Sequence, residues 1–422
     1  MEDALSLLSK SLRRIEDFLG LLPHHLVGDA RQRLAHVRSL VLDHRTPNMV
    51  LIGRRGAGKS SLVNAFFGAN VAAVGHLRAQ TGSGHYYEYQ SARGALSILD
   101  TRGMQEGSRP EEAQGGSAIA NLLDEVGKRC PDILVFLAKA SELDAAIDAD
   151  LDALEKIVRE VDRVHKRKPK LIGVVTHCDL LEPKNVLLGR SESGDESERT
   201  EKLRWVAEAE RELTHKLSAR GALQGPLVHV LGVASYLSFD GEGRVRSDER
   251  WRIDELARLL VEHMPVEARA TFVRIAQVRA LQNDIAVDLT RMFAGLTSIV
   301  AAVPVPVADL IPITSMQLSL VAIIAWLGGR SLDGKAAAEF LAAMGVNVGA
   351  AMVFREGARA LIKFVFPGAG SLISGLVAFG GTMAIGAAAR AYFLQNASIE
   401  EAKQVFTQER DKPRDPESTE PP

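Results

Sequence analysis

Two features of the sequence predict an α/β fold, in which a parallel sheet with helices on both faces is flanked by an N-terminal helical hairpin and a C-terminal all-α apolar domain. Between residues 47 and 265, short apolar runs alternate with amphipathic helical patterns, which favours a parallel sheet. Charge then becomes sparse between about 292 and 390. The predicted strands are Met49–Ile52, Tyr86–Tyr89, Leu96–Leu99, Ile133–Leu137, Leu171–Val175 and Leu227–Leu231, and the predicted helices are 59–68, 111–128, 142–166, 200–220 and 252–263.

Composition indicates a cytoplasmic protein of more than one domain. The chain has 422 residues and a formal net charge of −2, so no global basic field favours DNA and no DNA partner is predicted. Its two cysteines, Cys130 and Cys178, do not indicate a disulfide framework. The N-terminus carries early acidic residues and has no continuous apolar signal region.

A phosphate-binding loop is predicted at Gly53–Ser60, which reads G-x-x-x-x-G-K-S between an apolar run and a helical pattern. Glycines let successive backbone N–H groups turn toward one anion, and the helix N-terminus adds its dipole. Lys59 is expected to reach the β- and γ-phosphates, and the Ser60 hydroxyl to ligate Mg²⁺. The predicted nucleotide-binding residues here are Gly53, Arg54, Arg55, Gly56, Ala57, Gly58, Lys59, Ser60 and Ser61.

A second phosphate motif, Asp100-Thr101-Arg102-Gly103, follows the predicted strand Leu96–Leu99. Asp100 can hold Mg²⁺ through water, and the Gly103 amide can bond the γ-phosphate, so this loop is predicted to change with the nucleotide. Thr81 lies in a loop between the two motifs, where its hydroxyl could complete the Mg²⁺ shell. Metal ligands are therefore predicted at Ser60, Thr81 and Asp100, and catalytic roles at Lys59, Thr81 and Gly103.

Together these ordered motifs resemble the translation-factor-related class of GTPases, most closely its Era/TrmE-like branch. After Leu171–Val175 comes Thr176-His177-Cys178-Asp179, where the family carries N-K-x-D. The resemblance implies a P-loop GTPase domain that binds GTP or GDP with Mg²⁺, and that Asp179 reads guanine. Thr176 and His177 depart from the family's Asn and Lys. The family's S-A-K motif has its best candidate at Ala234-Ser235, a weak match.

Hydrolysis is predicted to be slow because Met104 follows Gly103, where Ras-type enzymes carry a glutamine that orients water. A methionine cannot orient water, so dimerisation, a partner or a cation would have to supply the missing group. Arg54, Arg55 and Arg102 lie near the expected phosphates. Each is either an arginine finger, acting in cis or in trans, or a solvated surface residue.

The sequence predicts four regions: an N-terminal helical segment (1–45), a GTP-binding domain (46–265), a C-terminal helical domain (266–400) and a disordered tail (401–422). Apolar residues at alternating three- and four-residue steps predict the first N-terminal helix. This hairpin either packs on a neighbouring domain or provides a helix that self-associates or binds a partner. The apolar positions of that first helix are Leu5, Leu8, Leu12, Ile15, Leu19 and Leu22.

Residues 292–308, 310–329 and 364–389 carry no charge, and prolines and glycines interrupt them as expected for helical hairpins. Their lengths approach those of membrane-spanning helices. The region resembles a YcjF-type helical domain, in the stretches 303–312 and 366–393. Membrane contact through 290–395 on the cytoplasmic face is the favoured interpretation, and a soluble bundle is the alternative.

We therefore expect a GTP-binding switch with slow GTP hydrolysis, coupled to a membrane-associated helical domain and acting through a homodimer or an effector protein. One alternative is a ribosome- or RNA-associated assembly factor, although no basic RNA-binding module follows the GTP-binding domain. Another is a membrane-remodelling protein of the dynamin type.

Overall fold

The computed structural model describes residues 24–71, 78–79, 86–91, 93–100, 115–143, 147–190, 195–302, 313–330, 334–345 and 371–412, with six positions between 9 and 20. The chain divides into two compact units. The sheet unit is Arg45–Val278, and the helical unit combines Met1–His44 with Arg279–Pro422. The predicted N-terminal segment and C-terminal domain therefore belong to one unit.

The sheet unit is built on seven strands in the order β2-β3-β4-β1-β5-β6-β7. Strands β4, β1, β5, β6 and β7 run parallel, whereas β2 and β3 are antiparallel additions at one edge. The predicted strand at Tyr86 is thus present but not parallel, because a short connection of two residues joins it directly to β4. The strands are β1 (Asn48–Ile52), β2 (Arg78–Ala79), β3 (Tyr86–Ser91), β4 (Gly94–Asp100), β5 (Ile133–Lys139), β6 (Leu171–Thr176) and β7 (Leu227–Gly232), with a separate hairpin of β8 (Leu237–Phe239) and β9 (Val245–Asp248).

Thirteen helices are resolved in the described part of the chain, and those between β1 and β7 lie close to their predicted positions. All five residues of β1 are buried, as expected for a strand covered on both faces. The helices are α1 (His24–Val41), α2 (Lys59–Phe67), α3 (Gly115–Lys128), α4 (Asp148–His165), α5 (Glu196–Ser218), α6 (Gly221–Gln224), α7 (Ile253–His263), α8 (Val266–Ala276), α9 (Arg279–Ala302), α10 (Ile313–Leu327), α11 (Gly334–Ala343), α12 (Ser371–Leu394) and α13 (Ile399–Arg410).

Helix α8 extends the sheet unit beyond the predicted boundary at 265. It packs against β4 and α2, and Phe272 meets Phe66 edge-on with ring centroids 5.3 Å apart. Most of its apolar residues are buried, among them Val273 and Ile275. The boundary therefore falls after Val278, because a helix that looks polar in sequence closes one face of the sheet.

In the helical unit, α9 packs along α12, and α10 packs against both. Gly386 of α12 lies directly against the Thr290 side chain of α9. A buried polar network joins the three helices: the Thr382 hydroxyl lies 3.0 Å from that of Thr297 and accepts a hydrogen bond of 3.2 Å from Gln317 Nε2. The predicted turns at 303–312 and 366–370 lie outside the described residues.

The predicted N-terminal helical segment belongs to this helical unit. Helix α1 packs against α9 and buries Leu34, Val37 and Val41 along one face. Arg38 pairs with Glu16, one of the described helical positions before α1, at 3.3 Å. Packing on a neighbour, one of the two predicted alternatives, accounts for the apolar face of α1.

The predicted disordered tail is wrong for residues 401–410, which belong to α13. The Ser398 side chain accepts from the Glu401 amide while the Glu401 carboxylate accepts from the Ser398 amide, so a capping box starts the helix. Helix α13 packs on α12 and buries Ala402 completely. The rest of the predicted tail, beyond 412, lies outside the described residues.

Among the described helices, one is long and apolar enough to cross a membrane, at Val377–Leu394 within α12. Much of this stretch faces other parts of the protein, since 61% of it is buried. It also contains Arg390. By length and composition alone, the core helix of a water-soluble bundle meets the same criterion.

Candidate functional site

The predicted phosphate loop connects β1 to α2 at the carboxyl edge of the sheet, and its glycines are required by close contacts. A Cβ on Gly53 would collide with the carbonyl oxygen of Leu137. Gly58 has φ +86°, and a Cβ there would lie 3.3 Å from the His177 ring. Both positions therefore favour glycine, and a glycine-rich loop of this kind before a helix fits a phosphate group.

Lys59 begins α2 and folds back across its own loop. Its ammonium donates to the carbonyl oxygens of Gly53 and, at 3.0 Å, Arg54. Only 6% of the residue is exposed. The positive charge of Lys59 is thus held at the loop.

Two of the three predicted Mg²⁺ ligands, Ser60 and Asp100, lie within the described residues. Ser60 is half-buried in the first turn of α2, and Ser61 is exposed. Asp100 ends β4 and pairs in register with Leu51 of β1, so its backbone lies at the same sheet edge as the loop. The half-buried Ser60 hydroxyl at this edge is the kind of oxygen ligand that fits a hard cation such as Mg²⁺. Thr81, Gly103 and Met104 lie outside the described residues.

Thr176 joins the predicted base-recognition motif to the phosphate loop. It ends β6 and is fully buried. Its hydroxyl oxygen lies 3.0 Å from the Ala57 carbonyl oxygen, 3.3 Å from that of Ala138 and 2.9 Å from His177 Nδ1. In sequence this threonine departs from the Asn of the GTPase motif that it resembles. In the structure the hydroxyl connects two functional loops.

His177 turns the chain at the start of the motif, with φ 59°, a region that histidine tolerates better than most residues. Burial lowers the pKa of His177, with Lys139 acting in the same direction and the Asp179 carboxylate opposing it. The ring is therefore neutral near pH 7. With Nδ1 protonated it donates to Thr176, which leaves the Thr176 hydroxyl to donate to Ala57.

Lys202 on α5 holds the backbone that follows the base motif, a role that no sequence motif signalled. Its buried ammonium donates to the carbonyl oxygens of Asp179 (2.7 Å), Pro183 (3.1 Å) and Val186 (2.8 Å). Burial lowers the pKa of Lys202, and the Asp179 carboxylate opposes that effect. Asp179 itself is half-buried, so its carboxylate keeps access to solvent and ligand.

The structure also brings the region of Ala234 and Ser235 to the base motif. Just before them, Val233 donates to Val175 at 2.8 Å and accepts from Cys178 at 3.3 Å. Ala234 exchanges two backbone hydrogen bonds with Trp251 and is buried, as is Ser235. Ala234 and Ser235 therefore lie just beyond β7, next to the residues that follow β6.

The candidate arginine fingers differ in their surroundings. Arg54 Nε donates to Asp150 Oδ2 of α4 at 3.1 Å, and the two side chains are only 25% and 12% exposed. Arg55 is exposed, and Arg102 lies outside the described residues. The contact with Asp150, which sequence reasoning missed, holds Arg54 within its own domain.

A glycine-lined loop between β1 and α2, hydrogen-bonded to the end of β6 two strands away on a mostly parallel sheet, is the architecture of a P-loop GTPase domain. Consistent with this, residues 48–177 match the family model described as 50S ribosome-binding GTPase. P-loop GTPases are enzymes that bind GTP or GDP with Mg²⁺ and hydrolyse GTP.

Curated relatives share this domain. GTPase Der of Bacteroides thetaiotaomicron is 25% identical over 146 residues, covering 35% of this chain and 31% of the relative. The uncharacterized protein YfjP of Escherichia coli K12 is 31% identical over 143 residues, covering 34% and 45%. The tRNA modification GTPase MnmE of Xanthomonas campestris pv. campestris is 30% identical over 132 residues, covering 31% and 26%. The chain thus spans less than half the length of these relatives.

Solved structures give weaker similarity. A GTP-binding protein from Sulfolobus solfataricus in complex with GDP has TM-score 0.29 and 15% identity, covering 65% of this chain and 66% of that chain. A chain of an oligomerised bacterial dynamin pair has TM-score 0.32 and 14% identity, covering 99% and 77%. Similarity this low supports no conclusion about membranes or assembly.

Proposed function

We propose that this protein is a guanine-nucleotide-dependent switch that binds GTP and GDP with Mg²⁺ and hydrolyses GTP slowly. The observation that carries the proposal is the contact between the Thr176 hydroxyl and the Ala57 carbonyl. It joins the loop that would hold phosphates to the motif that would hold the base. A nucleotide that engages both loops binds one connected site.

In the phosphate half of the site, the loop N–H groups and Lys59 bind phosphate oxygens. Ser60, Asp100 and Thr81 would hold Mg²⁺, which would neutralise negative charge on the phosphates. The Gly103 amide would bond the γ-phosphate and so make its loop responsive to hydrolysis. This half of the site accepts any nucleoside triphosphate.

Guanine selection is assigned to Asp179. A carboxylate accepts hydrogen bonds from guanine N1–H and its 2-amino group, whereas adenine offers no such pair of donors, and an unpaired polar group costs about 1–3 kcal/mol. The test is competition for fluorescent GTP. Unlabelled GTP and GDP should displace it, and ATP should not; equal displacement by ATP would overturn the guanine assignment.

Slow hydrolysis is proposed because Met104 stands where a water-orienting glutamine is expected. Arg54 supplies no evident substitute, since Asp150 holds it. Single-turnover hydrolysis should therefore be slow for the isolated protein and faster with a partner, a dimer or an added cation. Rapid hydrolysis by the purified monomer would contradict this.

We further propose that the GTPase domain belongs near the Era/TrmE-like branch and that the helical unit is of the YcjF type and carries the output. Relatives named Der, MnmE and YfjP support the first part. Membrane contact through 290–395 is supported by the long uncharged stretches and by the apolar helix Val377–Leu394. Retention in membranes after a carbonate wash is expected; release into the wash would favour a water-soluble bundle.

A ribosome- or RNA-associated function is the second candidate. The matching family is described as 50S ribosome-binding GTPase, and one relative is a tRNA modification GTPase. Salt-sensitive co-sedimentation with ribosomes, stronger with a GTP analogue than with GDP, would favour this function over the membrane proposal.

A further inference from the structure

Lys139 occupies a position at the nucleotide site that no motif assigns. It is the last residue of β5 and pairs in register with Thr176, the first residue of the base motif. Because the carboxyl ends of parallel strands meet at one edge of a sheet, Lys139 lies between the phosphate loop and the base motif.

The Lys139 side chain reaches the phosphate loop. A Cβ placed on Gly56 would lie 3.3 Å from Lys139 Nζ and 3.5 Å from its Cε. Gly56 has φ +80° and no side chain, so nothing from that residue separates the ammonium from the loop backbone. The same charge acts on the other side of the site, where it contributes to the lowered pKa of His177.

The Lys139 ammonium retains hydrogen-bonding capacity. Its acceptor among the described residues is Glu142 Oε1 at 2.7 Å, and the two side chains are 26% and 38% exposed. An ammonium has three N–H donors, so two remain for phosphate oxygens. A half-exposed ion pair of this kind contributes little to folding stability. A stabilising role is therefore a weak explanation for the position of Lys139.

We propose that Lys139 is a second phosphate-binding lysine of this GTPase, whose ammonium binds the phosphate chain of GTP and GDP beside Gly56. The inference rests on the proposed guanine-nucleotide function. GDP and GTP carry several negative charges at this loop, and charge-assisted hydrogen bonds to phosphate are among the strongest in proteins. Lys139 thus favours di- and triphosphates over GMP, and it adds positive charge in a site that lacks the water-orienting glutamine.

The experiment compares full-length Lys139→Gln and Glu142→Gln in titrations with fluorescent GDP, GTP analogue and GMP. Both variants break the ion pair, but only the first removes the cation. Lys139→Gln should weaken GDP and GTP-analogue binding about tenfold and leave GMP binding nearly unchanged. Glu142→Gln should leave affinity unchanged or increase it. The loss should diminish as salt is raised, because the interaction is between charges.

Control variants distinguish the loss of a phosphate contact from misfolding and from a failure of the proposed guanine-nucleotide function. Lys128→Gln removes a comparable ion-paired lysine on α3 and should change nothing. Lys139→Arg should keep most of the affinity, and thermal melting should show all variants folded. Equal losses for Lys139→Gln and Glu142→Gln, or none for Lys139→Gln, would overturn the phosphate role while leaving the GTPase proposal intact. A wild-type protein that binds no guanine nucleotide would overturn both.

Discussion

At the scale of single residues, Thr176 shows how one hydroxyl can connect two loops that are proposed to bind nucleotide. It is buried at the end of β6 and contacts Ala57, Ala138 and His177. A hydroxyl donates one hydrogen bond and accepts others, so the tautomer of His177 decides whether the Thr176 hydroxyl donates to Nδ1 or to a backbone carbonyl. The base motif and phosphate loop are therefore positioned together.

Replacing Thr176 with valine removes that hydroxyl at nearly constant volume. It leaves the buried carbonyl of Ala57 without this partner, so we expect a loss of about 1–3 kcal/mol in stability, with weaker GDP binding. Urea denaturation and GDP titration measure both. Thr176→Ser keeps the hydroxyl and should bind like wild type; full affinity in the valine variant would show that the connection does not matter.

Lys59→Ala should abolish nucleotide binding, because it removes the buried cation at the centre of the phosphate loop. Fluorescent-GTP titration measures the loss, and Lys128→Ala, on the surface of α3, serves as the matched control. If fluorescent-GTP affinity survives in Lys59→Ala, the phosphate-loop assignment is wrong.

His177 predicts a pH dependence of stability. Burial lowers the pKa of His177 in the folded protein below its ordinary 6.5, so the unfolded chain takes up the proton first as pH falls. The contribution of neutral His177 to the free energy of unfolding is therefore complete above pH 6.5 and declines as pH falls below that value. The free energy of unfolding, measured from pH 8 to 5, should fall less steeply in His177→Gln. Parallel curves for the wild type and His177→Gln would exclude His177 as a source of the pH dependence.

At the scale of elements, the crossing of α9 and α12 depends on one glycine. A Cβ on Gly386 would overlap the Thr290 side chain, with the Thr290 Cβ only 2.8 Å away. Small residues let helices approach closely, and here the approach also aligns the Thr297–Thr382–Gln317 network. The helices of this unit thus bury their polar groups against each other.

Two glycine substitutions in α12 test this close approach. Gly386→Ala should destabilise the helical unit by about 1–3 kcal/mol, because the added methyl group forces the helices apart. Gly381→Ala should stabilise it by up to about 1 kcal/mol, since nothing lies within 4 Å of its Cβ position and alanine favours helix. Thermal melting distinguishes the two, and equal shifts would contradict the packing described.

At the scale of the whole molecule, the GTPase domain ends later than its motifs suggest. Arg45 starts the sheet unit with a bidentate ion pair to Asp132, and its amide donates to the Glu267 carbonyl at the start of α8. The first and last segments of the unit are therefore joined, and α8 closes the sheet.

Two fragments test that boundary. Fragment 45–278 should fold and bind GDP, whereas 45–265 lacks α8 and the buried Phe272. The loss of α8 should lower the free energy of unfolding by at least about 3 kcal/mol, which is the scale for removing one buried phenylalanine side chain. Circular dichroism melting and GDP titration compare them. Equal stability would place the boundary at 265 after all.

Much of this protein could be predicted from the sequence because the relevant signals are local. The phosphate loop, the strands Met49–Ile52 and Leu171–Val175, and the uncharged C-terminal stretches are all visible as short patterns. Each reflects backbone freedom, strand-forming residues or hydrophobic length within a few neighbouring positions.

Contacts between distant residues required the tertiary structure. Asp150 holds Arg54 across 96 residues, Lys202 holds the backbone of Asp179, and Lys139 reaches Gly56 from another strand. No spacing rule encodes such pairs, because they depend on which strand ends meet at one edge of the sheet. The sequence alone determined that this chain has a phosphate-binding loop and an apolar helical region. The tertiary structure decided which charges surround that loop and where each unit ends, since both depend on packing between segments remote in sequence.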